Sequence, residues 1–266
     1  MVRVPFPVRV VPALTFQAWL TPPPLGVSTR ARDRDEIADL SRCHFGGVPG
    51  FETGDGPLVL AVHGWGGRPA QMAPVARRLA SEGFRVVVPA LPGHAGGEKT
   101  DIRRAAAALR AVVFDVGAPE VVVGHSFAAM ILRLGFAETT PDRVVLAAPA
   151  LDVIDALEVF GDRLRLLPWA RRGLRRRLEG WDPSLWPVLS GIHADQLPGA
   201  DVLIVHDPGD EETPFIRSAE LAAERPRTSI VPIRGAGHSR ILAHPGSLDV
   251  IAGFATGRRA RDMTAA

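Results

Sequence analysis

The fold of this chain is decided at residues 121–130, which read VVVGHSFAAM. Three β-branched valines predict a buried strand, and the apolar positions from Met130 onward have helical spacing. A strand that becomes a helix within three residues forces its middle residue, Ser126, into a strained backbone conformation. The small neighbours Gly124 and Ala128 let the strand and the helix pass each other. Ser126 is therefore predicted to stand at the carboxyl end of a sheet, although a serine that only caps a helix would fit the same pattern.

Length and composition indicate one large domain of the α/β class. The 266 residues, 46% of them hydrophobic, suffice for one α/β core with an inserted cap. The net charge of only +2 gives no basis for a nucleic-acid partner. Lys99 is the only lysine, and tyrosine and asparagine are absent. Because these residue types use AT-rich codons, we interpret the bias as the mark of a GC-rich, bacterial genome.

Cysteine content and hydropathy indicate the cellular compartment in which the protein is expected. A lone cysteine, Cys43, excludes an internal disulfide and any cysteine metal cluster. No apolar run approaches the length that spans a bilayer, and no convincing cleavage site follows the apolar N-terminus. We therefore expect a cytoplasmic protein.

Strand and helix patterns alternate along the middle of the chain. The alternation over residues 57–148 predicts a doubly wound, mostly parallel sheet. It stops after Pro149 for about fifty residues and resumes at Asp201. We therefore divide the chain into an α/β core, residues 1–149 and 198–266, and an inserted helical cap, residues 150–197.

The two ends of the chain have weaker patterns. Residues 1–24 are rich in valine and proline and could add only an edge strand at the margin of the sheet. Residues 43–51 with the turn signal TGDG at 53–56 predict a hairpin. The last helix is expected over residues 241–254.

A nucleophilic serine needs a base within reach, and the sequence offers one after the last predicted strand. His238 lies in the segment GAGHS, residues 235–239. The glycines before it allow the loop to fold inward over Ser126. The alternative is a surface histidine in a flexible loop.

The base in turn needs a carboxylate that orients it, and three are available. Asp210 falls in the turn that follows a buried strand. Asp207 in the same turn and Asp152 after the preceding strand are the alternatives. Glu211 and Glu212 are expected to be solvated.

Two motifs of the sequence resemble motifs of the α/β-hydrolase superfamily. Residues 124–128 are similar to its nucleophile elbow, G-x-S-x-G, with Ala128 in place of the second glycine. Residues 63–67, HGWGG, resemble its H-G-x loop. The resemblance implies that the main-chain N–H groups of Trp65 and Phe127 form an oxyanion hole, with the indole of Trp65 as a pocket wall.

A third motif carries the carboxylate. Residues 206–214, HDPGDEETP, resemble the superfamily's H-G-x-x-D-x-x-V-P segment, with Asp207 where glycine is usual and Thr213 where valine is usual. The resemblance favours Asp210 as the orienting acid, and the order serine, aspartate, histidine is the one expected of the fold. The substitution of the glycine keeps Asp207 open as an alternative.

The resemblance implies a function. It is that of a cofactor-independent serine hydrolase that cleaves a carboxylic ester or related acyl bond of a small molecule. Ser126 would be the nucleophile, His238 the base and Asp210 the orienting acid. Acyl transfer with the same triad, and a ligand-binding protein without turnover, are the alternatives. No nucleotide-binding or metal-ligand spacing is present in the sequence, so no cofactor or metal is predicted.

The inserted segment is rich in arginine. Leu174, Leu178 and Trp181 recur at helical spacing and could lie over the active site. The basic residues between them are Arg171, Arg172, Arg175, Arg176 and Arg177. An interfacial helix that meets anionic lipid or guides an anionic substrate is one interpretation. We favour the other, a cap helix with a solvated polar face. No oligomeric state follows from the sequence.

Overall fold

The computed structural model describes most of the chain, namely residues 12–22, 27–94, 98–136, 140–191, 197 and 199–257. Two predicted features fall partly outside these ranges. They are the first part of the expected edge strand, residues 1–11, and the end of the expected cap, residues 192–196.

Among the described residues, eight strands form one mixed sheet: β1 (Ser41–Phe45), β2 (Val48–Thr53), β3 (Leu58–Val62), β4 (Arg85–Pro89), β5 (Val121–His125), β6 (Arg143–Ala147), β7 (Asp201–His206) and β8 (Thr228–Pro232). Their order is β1-β2-β4-β3-β5-β6-β7-β8. The strands from β3 onward run parallel, while β1 and β2 pair antiparallel at one edge. The predicted doubly wound, mostly parallel sheet is confirmed.

Helices cover both faces of the sheet and form the insertion. They are α1 (Pro12–Trp19), α2 (Val27–Glu36), α3 (Ala73–Ala80) after a 3₁₀ turn (Pro69–Met72), α4 (Ile102–Val116), α5 (Ala128–Gly135), α6 (Val153–Arg163), α7 (Pro168–Trp181), α8 (Trp186–Leu189), α9 (Phe215–Glu224), α10 (Gly237–Arg240) and α11 (Pro245–Ala255). Within the described ranges, every helix is too short or too polar to cross a bilayer.

The central strands are apolar throughout because both of their faces are buried. In β3, Val59 and Ala61 belong to the core formed with α3 and α11, whereas Leu60 and Val62 belong to the core formed with α4 and α5. All four side chains are completely buried. Successive side chains of a strand point to opposite faces, so a strand covered on both sides has no polar position.

The carboxyl ends of the parallel strands bring the predicted site residues to one edge. The chain direction across the sheet reverses at β3, which lies between β4 and β5, so the loops after β3 and β5 leave towards opposite faces and open a crevice. These two loops carry Trp65 and Ser126. The loops after β7 and β8 carry Asp210 and His238.

Three local predictions differ from the structure. Within the segment expected to add an edge strand, residues 12–19 instead form α1, which begins at a proline because the first turn of a helix needs no N–H from that residue. The hairpin is confirmed as β1 and β2, but its turn lies at residues 46–47 and not at 53–56. The last helix begins at Pro245 instead of Ile241, again with proline in its first turn.

The insertion of α6, α7 and α8 follows β6, and α1 packs on it. Leu174 and Leu178 of α7 are buried in one cluster with Phe16 of α1 and Leu157 of α6. Their apolar stripe is therefore used for packing inside the insertion. Of the three residues expected over the active site, Leu178 and Trp181 line a small cavity next to the cleft described below, whereas Leu174 is buried against α1 and α6.

Candidate active site

Ser126 occupies a strained turn between β5 and α5. Its φ of 56° lies in the left-handed region that serine rarely adopts. Two main-chain hydrogen bonds hold it there: its N–H donates to the carbonyl of Ala147 at 2.9 Å, and its carbonyl accepts from the N–H of Ala150 at 3.0 Å. The hydroxyl consequently projects from the edge of the sheet as the elbow motif predicts.

The tight turn requires glycine before the serine but tolerates alanine after it. A Cβ on Gly124 would lie 2.7 Å from a methyl carbon of Leu132, on the helix that packs across the strand. Ala128 is fully buried, and its Cβ would still be 3.4 Å from that added atom. The departure from the usual elbow at residue 128 is thus a methyl group buried at this turn.

Gly64 supplies the clearance on the other side of the nucleophile. A Cβ at this position would approach the Cβ of Ser126 to 2.8 Å and the carbonyl oxygen of His125 to 3.0 Å. Only glycine lets the loop after β3 pass this close to the serine. The loop is fixed from below by His63, whose Nδ1–H donates to the Gly64 carbonyl at 2.9 Å and whose Nε2 accepts from the N–H of Leu91 at 3.1 Å.

The imidazole of His238 lies between the serine and a carboxylate. Its Nε2 is 3.0 Å from the Oγ of Ser126, and its Nδ1 is 2.8 Å from the Oδ2 of Asp210. The ring is nearly buried, with 8% of the side chain exposed. With Nδ1 protonated, the ring donates to the carboxylate and accepts from the serine hydroxyl, which is the geometry needed to remove the serine proton.

The side chain of Asp210 is completely buried, and its carboxylate accepts from five hydrogen-bond donors. Besides His238, its Oδ2 accepts from Thr213 Oγ1 at 2.8 Å and from His206 Nε2 at 3.2 Å. Its Oδ1 accepts from the main-chain N–H groups of Glu212 and Thr213 at 2.7 and 3.1 Å. Burial disfavours the charged carboxylate, but the hydrogen bonds from the two histidines outweigh it and hold the pKa of Asp210 well below its ordinary value.

The other two carboxylates considered from the sequence serve different contacts. Asp207 accepts from the N–H of Gly237 at 2.6 Å and from that of Gly209 at 2.9 Å, which lowers its pKa. It thus anchors the loop that carries His238 without touching the imidazole. Asp152 caps α6 by accepting from the N–H of Ile154 at 2.8 Å. Of the three, Asp210 is the one that contacts the His238 ring.

His125, the variable residue of the elbow, fixes the same loop from the sheet side. Its Nε2 lies 2.9 Å from the carbonyl oxygen of His238, to which Nε2–H donates. Burial lowers the pKa of His125 to about 4, and burial likewise lowers the pKa of His63 to about 3. Both rings are therefore neutral at pH 7. The backbone around His238 is held on one side by Asp207 and on the other by His125.

The main-chain groups predicted as an oxyanion hole border the serine. Trp65 and Phe127 both line the cleft above Ser126. Among the hydrogen bonds of the described residues, none is donated by the main-chain N–H of either residue. Two free N–H groups at this place could stabilise negative charge on a carbonyl oxygen.

The cleft has an aromatic side and a charged side. Its volume is about 320 Å³, and Trp19 and Phe160 from α1 and α6 line it beside the two residues just named. On the opposite side Glu212, whose Oε2 is 3.6 Å from Nε2 of His238, forms an ion pair with Arg163 of the insertion. The expectation that Glu212 is only solvated overlooked this position, because the acidic run at 210–212 gives no sign of which carboxylate faces inward.

His206 and Thr213 are further residues at the site whose contacts sequence reasoning did not predict. His206 is completely buried at the end of β7, and its Nδ1 accepts from Ser218 Oγ at 2.8 Å, so its Nε2–H is directed to Asp210. The position of His206 at the end of an apolar strand was the available signal. No group of three or more potential metal-ligating side chains occurs within the described ranges.

Comparison with known proteins identifies the family of this chain. A model of the alpha/beta hydrolase family matches residues 58–248, whereas no curated protein sequence matches the chain. Among solved structures, Est1E from Butyrivibrio proteoclasticus is 16% identical, with a TM-score of 0.57 and 81% of this chain and 96% of that chain covered. The esterase EaEST from Exiguobacterium antarcticum is 17% identical, with a TM-score of 0.58 and 82% and 99% covered.

A third solved structure, the 2-hydroxy-6-oxo-6-phenylhexa-2,4-dienoate hydrolase BphD from Rhodococcus sp. strain RHA1, is 18% identical, with a TM-score of 0.58 and 82% and 98% covered. At these identities the structural likeness is one of fold. The family model, however, covers more than half of the chain and includes the elbow, the carboxylate turn and the histidine loop. The chain belongs to the alpha/beta hydrolase family.

Proposed function

We propose that this protein is a cofactor-independent serine hydrolase that cleaves a carboxylic ester or a related acyl bond of a small molecule. The observation that carries the proposal is the unbroken chain of contacts from the Ser126 hydroxyl through both nitrogens of His238 to the buried carboxylate of Asp210. Fold likeness to esterases supports the proposal only in a general way, because one fold serves many activities.

In the proposed reaction, the Oγ of Ser126 attacks the carbonyl carbon while Nε2 of His238 takes the hydroxyl proton. The carbonyl oxygen becomes an oxyanion between the N–H groups of Trp65 and Phe127. The protonated imidazole then gives its proton to the leaving group as the bond to the acyl carbon breaks. Water repeats the attack on the acyl-enzyme, releases the acid and returns the proton to Ser126 through His238.

Asp210 has an electrostatic part in this proposal. Its carboxylate stays ionised in a buried place and accepts from Nδ1–H, which keeps Nε2 free to act as the base. The negative charge also stabilises the imidazolium that forms when the serine proton moves. The remaining four donors hold this carboxylate in one orientation.

The proposal is tested by ester turnover in the full chain and three variants. Ser126→Ala and His238→Ala should each lower kcat by about 10⁴-fold or more while the circular dichroism spectrum is retained. Ser81→Ala, at an exposed position after α3, is the matched control and should stay within about twofold. Wild-type rates of ester turnover in a folded Ser126→Ala protein would contradict the proposal. Product analysis with added alcohol or amine distinguishes hydrolysis from acyl transfer.

A further inference from the structure

A second, smaller cavity lies beside the cleft and beneath the insertion. Its free volume is about 40 Å³, and its lining includes Ile102 of α4, Val153 of α6, and Leu185, Trp186 and Leu189 at α8. Apart from two aspartates at its margin, the side chains that line it are aliphatic or aromatic. An apolar cavity of this kind excludes water and accepts apolar groups.

The two carboxylates at the margin of this cavity are already engaged. Asp101 accepts from the N–H of Arg104 as the cap of α4. Asp182 forms an ion pair with Arg103 and accepts from the hydroxyl and N–H of Ser184. Neither charge is directed to a ligand, so the chemistry of the cavity is set by its apolar walls.

The small cavity lies next to the cleft. Trp19, Trp65 and Phe127 line both spaces. Their rings contact each other, with centroid distances of 6.2 Å between Trp19 and Phe127 and 5.6 Å between Trp65 and Phe127. The small cavity therefore borders Trp65 and Phe127, whose N–H groups are the proposed oxyanion donors beside Ser126.

The geometry of the attack decides which part of a substrate faces the three shared rings. A carbonyl carbon bound to Ser126 Oγ, with its oxygen between the N–H groups of Trp65 and Phe127, has two remaining substituents. The leaving group must lie near Nε2 of His238, where Glu212 makes the surroundings charged. The acyl chain consequently extends away from His238, on the side of the shared rings.

We propose that the small cavity binds the end of an apolar acyl chain, so that the substrates are esters of medium-chain acids of about four to eight carbons. This inference rests on the proposed function. Each methylene group that the cavity removes from water should raise kcat/KM by about fourfold, which corresponds to about 0.8 kcal/mol.

The test measures kcat/KM of the full chain for p-nitrophenyl esters from acetyl to dodecanoyl. For the wild-type protein we expect a rise of about tenfold or more from acetyl to hexanoyl, and a fall for the longest chains. Leu185→Trp fills the cavity and should lower hexanoyl and octanoyl turnover by about tenfold, with acetyl turnover within about twofold. Acetyl turnover also reports that the variant is folded.

Two further variants make the test specific. Val188→Trp adds a similar volume to the same short helix, but Val188 is 39% exposed and should leave the chain-length profile unchanged. Leu185→Ala enlarges the cavity and should move the maximum to longer chains. A wild-type profile that is flat or highest for acetyl, or an equal loss at all lengths in Leu185→Trp, would overturn the inference and leave the proposed function standing. Absence of turnover for every ester, together with an unreactive Ser126, would instead count against the proposed function.

Discussion

The carboxyl edge of the sheet and the inserted helices hold their polar groups in opposite ways. At the sheet edge, the side chains of His206, Asp210 and Thr213 are buried and hydrogen-bonded to one another. In the insertion, two partly exposed arginines of α7 pair with acids of the same helix or of α6. These pairs are Arg171 with Glu158 and Asp162, and Arg175 with Glu179.

This difference matches two roles: the sheet edge sets the positions of the catalytic candidates, and the insertion shapes the cleft above them. A buried hydrogen-bond donor that loses its partner lowers stability by about 1–3 kcal/mol. The groups around Asp210 are therefore confined to the arrangement in which each of them has a partner. Exposed ion pairs contribute about 0–1 kcal/mol, so the insertion depends on its apolar contacts with α1 and with the core. Substitutions should therefore be severe at the sheet edge and mild on the arginine-rich surface.

The largest difference in kcat is expected between substitutions of two aspartates only three residues apart. Asp210→Asn removes the acceptor of His238 Nδ1–H and should lower kcat by about 10³- to 10⁴-fold. Asp207→Asn weakens only the anchor at the Gly237 N–H and should lower kcat by about tenfold or less. Steady-state kinetics on one ester measure both. A silent Asp210→Asn with a severe Asp207→Asn would reverse the assignment of the acid.

The buried histidines of the sheet edge make stability depend on pH. The pKa values of His63 and His125 are about 3 and about 4 in the folded protein, below the value of about 6.5 in the unfolded chain. The unfolded state therefore binds more protons between about pH 6.5 and 4, and the free energy of unfolding falls as the pH is lowered through this range. His125 alone should contribute on the order of 3 kcal/mol to this loss.

Urea unfolding at several pH values measures this effect. His125→Gln keeps a side-chain N–H for the His238 carbonyl but cannot titrate, so its stability should fall less steeply with acidification. His44→Gln, at an exposed position of β1, is the control and should follow the wild-type curve. Identical curves for all three proteins would contradict the prediction.

A smaller effect on kcat is expected from substitution of Thr213, whose hydroxyl lies beside Asp210. Thr213→Val keeps the shape but removes the hydroxyl that donates to Asp210 Oδ2 at 2.8 Å. Loss of one hydrogen bond to a charged group should lower kcat by about tenfold, with KM unchanged. Thr213→Ser retains the hydroxyl and should restore most of the rate. Equal rates for the valine and serine variants would show that the hydroxyl has no part in positioning the carboxylate.

The smallest effect is expected on the surface of the insertion. Glu179→Gln removes the charge partner of Arg175, while the guanidinium stays over the ring of Trp186 at 5.6 Å. Because both charged groups are partly exposed, the free energy of unfolding should change by about 0.5 kcal/mol or less, and the difference should vanish in high salt. A loss of several kcal/mol would mean that the insertion depends on its ion pairs as much as the sheet edge depends on its buried ones.

The sheet and the three proposed catalytic residues were predictable because their signals are local. Each lies in a short motif directly after an apolar strand, and parallel strands bring such positions to one edge. The same logic places Trp65 and Phe127 on either side of the crevice. The choice between Asp207 and Asp210, in contrast, required the direction of two side chains in one turn, which spacing alone does not determine.

The insertion was less predictable because its packing partners are distant in the sequence. The stripe of Leu174 and Leu178 shows that α7 needs an apolar partner but does not identify it as α1, where Phe16 fills this role. The prolines near the N-terminus favoured an irregular edge strand, yet proline is equally suited to the first turn of a helix. The inward position of Glu212 likewise depends on Arg163 across the cleft.

The central claim is that the hydroxyl of Ser126 is activated by His238. The most direct measurement is the reaction of the folded protein with a small fluorophosphonate, followed by mass spectrometry of its peptides. The account predicts one phosphonyl adduct, on Ser126, formed at least about a hundredfold more slowly in His238→Ala. An adduct on a different serine, or none on Ser126 of the folded protein, would contradict it.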